Sequence, residues 1–299
     1  MKILISGSTG LVGSALAPYL TEQGHQIVRL VRKQGVLLEG EVRWDPEQGT
    51  IDSENLSGID ASVHLAGENI GAKRWSVAQK QRIRDSRVNG TTLLAEALAK
   101  LSPMPKVLAS ASALGYYGDQ GDSILTENVS PGTDFLGEST QAWEKATDPA
   151  SSAGIRVVAM RFGLVLDAKA DLIKKTLPLV KAGLGGKLGN GRQYMSWIAL
   201  NDLIRAIEHA LVTPEISGPL NMSSSNTLTN HEYTKTLGKI LSKPTLFAVP
   251  SFALRLSVGE MAGPMTASVR MDSSKLMDSG FQFKYPDLES ALREILGRP

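Results

Sequence analysis

The chain has no cysteine among its 299 residues, which excludes disulfides, a thiolate nucleophile and any cysteine-held metal. That suits a reducing cytosol, and a cytoplasmic location is expected. No charge of one sign dominates either. Its 32 Lys and Arg stand against 30 Asp and Glu, so nothing draws it generally to nucleic acid or to an anionic membrane. Long apolar runs are lacking too. The longest, "IRVVAMRFGLVL", is interrupted by Arg161 and is too short to span a bilayer. The N-terminus enters strand-like "MKILIS" with no separate basic and apolar signal regions. The 4 histidines do not converge in sequence pattern. His25 falls in a turn, His64 ends a strand, and His209 and His231 lie on separate helical segments, so no metal site is expected.

What is present is an alternation. The apolar runs "KILIS", "HQIVRLV", "ASVHLA", "KVLAS" and "GIRVVAMRF" are separated by helical patterns such as "LVGSALAPYLTEQG" and "ESTQAWEKA". Continuously apolar strands between helices predict a parallel sheet covered on both faces, a Rossmann-type doubly wound α/β fold. Ser76 with Gln79, and Thr229 with Glu232, read as capping boxes opening two helices. After Asp167 the pattern changes to a helix running into the glycine-rich "GLGGKLGNGRQ", then the amphipathic "LNDLIRAIEHAL", a last short strand "GPLNMS", and mainly helices. The expected division is a dinucleotide-binding domain from residues 1–167 and 196–222, interleaved with a smaller, mostly helical substrate-side domain from 168–195 and 223–299.

"ISGSTGLVG" places Gly7, Gly10 and Gly13 between the first strand and the first helix. Glycine allows the tight turn and lets a pyrophosphate approach the backbone, while the helix N-terminus favours its charge. Thr9, Leu11 and Val12 complete the expected phosphate loop. An NAD enzyme commonly has a carboxylate at the end of the second strand. Here "LVRKQG" offers Arg32 and Lys33, and no acid before Glu39. A guanidinium can grip a 2′-phosphate through parallel hydrogen bonds, so NADP(H) is the expected cofactor.

"SGSTGLVG", "DASVHLAGENI", "VNGTTLLAEAL" and "SASALGYYG" together resemble the extended short-chain dehydrogenase/reductase superfamily. "GLGGKLGNGRQYMSWI", "NDLIRAI" and "FQFKYPDLESAL" narrow the resemblance to an atypical, epimerase-family group with a C-terminal helical domain, and it covers essentially the whole chain. The resemblance implies further cofactor contacts from Leu65, Ala66, Gly67, Glu68, Arg87, Ser110, Arg161 and Gly163, a catalytic Ser112 at the end of "KVLASAS", and a supporting role for Asn89. It also implies a Tyr-x-x-x-Lys pair, and there the chain departs: Leu136 and Thr140 stand at those positions. A phenol ionises only near pH 10 without a cation beside it, and neither substitute can move a proton in its place. Tyr116 and Tyr117 are the expected replacements as catalytic residues, with Arg74 or Arg87 as the tuning cation; Asp134, Glu138 and Glu68 are the acidic alternatives.

Arg74, Trp75, Lys187, Arg192, Tyr194 and Trp197 fall on loops expected to overhang the nicotinamide, which suits a flat or anionic substrate or, equally, interdomain packing. The expected function is an NADP(H)-dependent oxidoreductase or epimerase-like protein acting on a small molecule, anionic or nucleotide-linked. The alternative is a non-catalytic dinucleotide-binding regulator or sensor, and after it an adaptor that keeps only the fold. The oligomeric state stays open.

Overall fold

A computed structural model describes residues 1–298. The chain runs through β1 (Lys2–Ser6), β2 (Gln26–Val31), β3 (Glu41–Asp45), β4 (Thr50–Ile51), β5 (Ala61–His64) and β6 (Val107–Ala113), then through the strands Arg156–Phe162 and Gly218–Met222. These eight make one sheet in the spatial order Gly218–Met222, Arg156–Phe162, β6, β5, β1, β2, β3, β4. Neighbours are parallel except β3 and β4. The chain therefore works outward from β1 in one direction and returns to β5 on the other side. Such a switch of direction leaves a crevice at the carboxyl ends of the strands, where α/β sheets bind ligands.

Side chains alternate across the sheet, and both faces are covered. Ile3 and Ile5 pack with Leu16 and Leu20 of α1 (Leu11–Glu22) and with Leu203 and Ile207 of the helix Leu200–Val212. Leu4 points the other way, into a layer with Leu94 and Leu98 of α2 (Val77–Ala99). Two-sided burial is why the strands read as unbroken apolar runs.

A second core forms where the helices Asp171–Lys181, Asn230–Leu241 and Leu288–Ile295 enclose Leu166, Trp197 and Ala199. The two cores cross the domain lines expected from sequence: Leu276 and Phe281 pack into the sheet core, whereas Trp197 packs into the second. Asp202 holds the halves together. Its buried carboxylate accepts the backbone N–H groups of Lys284 (2.8 Å) and Tyr285 (3.0 Å), and Arg205 at 2.8 Å. Of the two capping boxes, Thr229–Glu232 closes in both directions. Ser76 accepts from the Gln79 N–H, but the Gln79 Oε1 that would accept the Ser76 N–H accepts from Arg82 instead, while its Nε2 donates to Glu68. No helix among the described residues is long and apolar enough to cross a membrane.

Candidate functional site

The loop from β1 into α1 needs its glycines for different reasons. Gly7 has φ +69°, and a Cβ there would stand 2.7 Å from the Leu65 carbonyl carbon. A Cβ on Gly13 would stand 2.2 Å from the Gly7 carbonyl oxygen. Gly10 is different: the nearest atom to its Cβ position is Gly7 O at 3.4 Å, and it lines a cavity of about 630 Å³. Leu11, Val12 and Gly13 line the same cavity. The first turn of α1 has no side-chain cap and no acidic residue, so its N–H groups and positive dipole end are available to an anion.

From this loop the cavity passes Leu65, Arg87, Ala111–Ala113, Phe162 and Gly163 and continues into the second lobe. α3 (Phe135–Lys145) forms one wall. Asp134 caps it, accepting the Gly137 N–H at 2.7 Å, and Leu136, Ser139, Thr140 and Trp143 face the cavity at helical spacing. Leu136 and Thr140 thus stand on the cavity wall without an ionisable group between them.

Ser112 lines the cavity, yet its hydroxyl donates to Glu144 Oε1 at 2.5 Å. Arg161 grips the same carboxylate twice, from Nε to Oε1 (2.8 Å) and from Nη2 to Oε2 (2.9 Å). Its Nη1 donates to the Tyr117 hydroxyl and to the Glu127 carbonyl oxygen, both at 3.0 Å, and Tyr117 donates to Asn221 Oδ1 at 2.7 Å. Burial works against the Arg161 charge, but the hydrogen bonds and charge of Glu144 more than offset it and raise its pKa above the ordinary value. Burial raises the Tyr117 pKa. Ser112 therefore turns lone pairs, not a proton, toward the cavity.

Around this network the expected site residues are placed as follows. Tyr116 and Tyr117 do not line the cavity. Tyr117 is fully buried, and the Tyr116 ring lies 3.4 Å from the Arg161 guanidinium carbon; a cation inside a sheet needs partners and ring faces around it. Arg161, expected at the cofactor, is engaged by Glu144 and lies outside the cavity lining. Ser110 is buried, outside the lining, with its Oγ unpaired. Asn89 is exposed. The loop after β5 is instead supported by Ser86, whose Oγ accepts the Glu68 N–H at 3.0 Å, and by Arg87, which donates to the Glu68 carbonyl oxygen at 3.1 Å.

Arg87 is the one cation among the described lining residues. It stacks on Trp143 with 4.9 Å to the ring centroid, and burial lowers its pKa to about 10, which leaves it charged at neutral pH. Gly67 packs against it, its Cβ position 3.5 Å from Arg87 Cγ. Ala66 lies beside Gly7, and Thr9 is exposed. Arg32 is exposed and forms no ion pair among the described residues, whereas Lys33 is held by Glu41 at 2.9 Å. Of the overhanging residues expected from sequence, Trp75 and Tyr194 line the cavity; Arg74, Lys187, Arg192 and Trp197 do not. Glu138 is exposed. The sequence pattern gave no sign of Glu144, which reads as an ordinary helix charge.

Beneath the glycine loop, Ser6 Oγ accepts the N–H groups of Leu65 (3.1 Å) and Ala66 (3.3 Å) and is hydrogen-bonded to His64 Nδ1 at 2.6 Å. The imidazole is buried, meets Trp44 edge-on, and has its pKa lowered from 6.5 to about 4 by burial. The folded pKa lies below the unfolded one, so the contribution is constant above pH 6.5 and stability falls as pH drops toward 4. At about 1.4 kcal/mol per unit this amounts to about 3 kcal/mol. Urea midpoints at pH 7 and 4.5 are expected to fall much less for His64→Gln than for the wild type; equal falls would remove His64 as the cause.

A parallel sheet with a glycine loop at its switch point makes this a Rossmann-type dinucleotide fold. The chain belongs to the NAD dependent epimerase/dehydratase family, whose model matches residues 3–222; a domain of unknown function, DUF1731, matches 249–295. The epimerase family protein ML0860 of Mycobacterium leprae is 41% identical over 298 residues, covering 99% of this chain and 96% of that one. The human epimerase family protein SDR39U1 is 32% identical, with 99% and 100% covered. A crystal structure of human SDR39U1 (isoform 2) with NADPH superposes with a TM-score of 0.90 at 30% identity, covering 100% of both chains. UDP-N-acetylglucosamine 4-epimerase from Bacillus cereus shares the fold at 23% identity, with a TM-score of 0.77 and 100% and 99% covered.

Proposed function

We propose that the chain binds NADP(H) in this cavity and acts as an oxidoreductase or epimerase-like catalyst on a small molecule. The observation that carries the reading is the uncapped start of α1 behind Gly10, whose open side faces the cavity at the sheet's switch point. The residues fit the group: Gly7, Gly10 and Gly13 would let a pyrophosphate reach the α1 N–H groups, Arg32 would meet a 2′-phosphate, and Leu65, Ala66, Gly67, Arg87 and Gly163 would flank the rest. A relative crystallised with NADPH supports the choice of dinucleotide. When bound, the cofactor supplies a hydride donor or acceptor. Ser112 accepts a hydrogen bond from a substrate hydroxyl and can take its proton while passing its own to Glu144.

Arg32→Ala is expected to weaken NADPH binding by roughly tenfold to a hundredfold, the range of a charge-assisted bond, and to leave NADH unchanged. Equal wild-type affinity for the two cofactors would defeat the assignment. A second reading, a non-catalytic dinucleotide sensor, draws support from Leu136 and Thr140 facing the cavity. A panel of carbonyl and alcohol substrates separates the two. Ser112→Ala is expected to abolish any turnover found while NADPH affinity stays within a few-fold; undiminished turnover would remove Ser112 from the chemistry.

A further inference from the structure

We propose that the cavity beyond Ser112 is a chamber for an uncharged, apolar molecule bearing an isolated carbonyl or hydroxyl group, and not for a nucleotide or sugar phosphate. This rests on the reading that the glycine-loop end takes the dinucleotide.

The wall of this part comes from Ile70, Leu136, Leu179, Leu188, Met195 and Met261, on separate segments of both lobes. Much of the polar lining is already bonded. Thr176 Oγ1 donates to the Leu172 carbonyl oxygen at 2.7 Å. Asn230 accepts the Leu188 N–H at 2.8 Å and donates to the Met195 sulfur at 3.4 Å. Ser196 Oγ donates to the Val269 carbonyl oxygen and accepts the Met271 N–H, each at 2.8 Å. Three cations near this part have other partners: Lys80 pairs with Glu260 at 2.7 Å, Arg74 donates to the Leu256 carbonyl oxygen at 3.4 Å, and Arg270 stacks on Tyr194 at 4.7 Å. A diphosphate in this chamber would lose its water with no cation but Arg87 in the lining to replace it, and a desolvated unpaired charge is costly.

The mouth has the same character. Leu179 and Leu184 are 52% and 57% exposed and line the same cavity. Exposed apolar residues continuous with an apolar interior mark a binding entrance. One lining hydroxyl is left over, Ser139 Oγ, buried without a partner. Buried polar groups are normally satisfied, and a ligand with an isolated oxygen would supply a partner.

The test uses 2-alkanones from 2-butanone to 2-nonanone, titrated calorimetrically into protein saturated with NADP⁺. Affinity is expected to rise about fourfold per added methylene, and UDP-glucose is expected to show no binding. Leu179→Glu should weaken 2-nonanone at least tenfold and leave NADP⁺ affinity within twofold. Affinity flat with chain length, or UDP-glucose bound more tightly than 2-nonanone, would overturn the proposal. The NADP⁺ titration comes first, and its failure would strike the proposed function alone, since the alkanone series can then be read on the bare protein.

Discussion

Arg161→Met is expected to lower the free energy of unfolding by about 3–5 kcal/mol, the cost of removing one partner from a buried ion pair. The loss has several parts. The Glu144 carboxylate would give up two hydrogen bonds, and the Glu127 carbonyl and the Tyr117 hydroxyl one each. The Tyr116 ring would lose the cation beneath it. Since domains are stable by only about 5–15 kcal/mol, the variant should unfold at much lower urea concentration. The double variant Arg161→Met, Glu144→Leu should recover part of the loss, because it leaves no orphaned charge. A single variant with the wild-type midpoint would mean that the pair does not hold β6, α3 and the strand Arg156–Phe162 together.

The parts of this molecule that could be read from sequence are those where local physics has few solutions. The strands were legible because burial on both faces leaves only apolar residues, as in "KILIS", and the phosphate loop because Gly7 and Gly13 admit no Cβ. Leu136 and Thr140, which the resemblance puts at the Tyr-x-x-x-Lys positions, both line the cavity. What could not be read depends on chain segments meeting in space. Glu144 sits on a helix in "AWEKA", and nothing local says that it faces Ser112, 32 residues earlier. Arg161 interrupts an apolar strand, which signals a buried partner as well as it signals a ligand. Tyr116 and Tyr117 follow a strand end, and sequence alone does not say which side of the turn they take. Gln79 was in register for a capping box, but Arg82 offered its side-chain oxygen another donor.

Gly10→Val and Gly13→Val are expected to fail in opposite ways, and the contrast tests the cofactor site. At Gly13 the new Cβ would overlap the Gly7 carbonyl oxygen and stand 2.7 Å from Ser8 Cα. Both are backbone atoms, so no side chain can swing aside and the whole loop must move. The cost should reach or exceed about 3 kcal/mol, the upper end for overpacking, and the midpoint should drop with or without ligand. At Gly10 the backbone is extended, with φ −76° and ψ 176°, which any residue adopts, and no atom stands closer to the Cβ position than 3.4 Å. Valine is a poorer helix N-cap than glycine by about 1 kcal/mol, so the fold should survive. Its branched side chain would fill the space over the α1 N–H groups, where the pyrophosphate is proposed to sit. NADPH affinity should then fall more than a hundredfold in a protein whose urea midpoint is nearly that of the wild type. If folded Gly10→Val bound NADPH as tightly as the wild type, the phosphates would have to lie elsewhere. If Gly13→Val kept its stability, the close approach of α1 to the loop would not be what shapes the cradle.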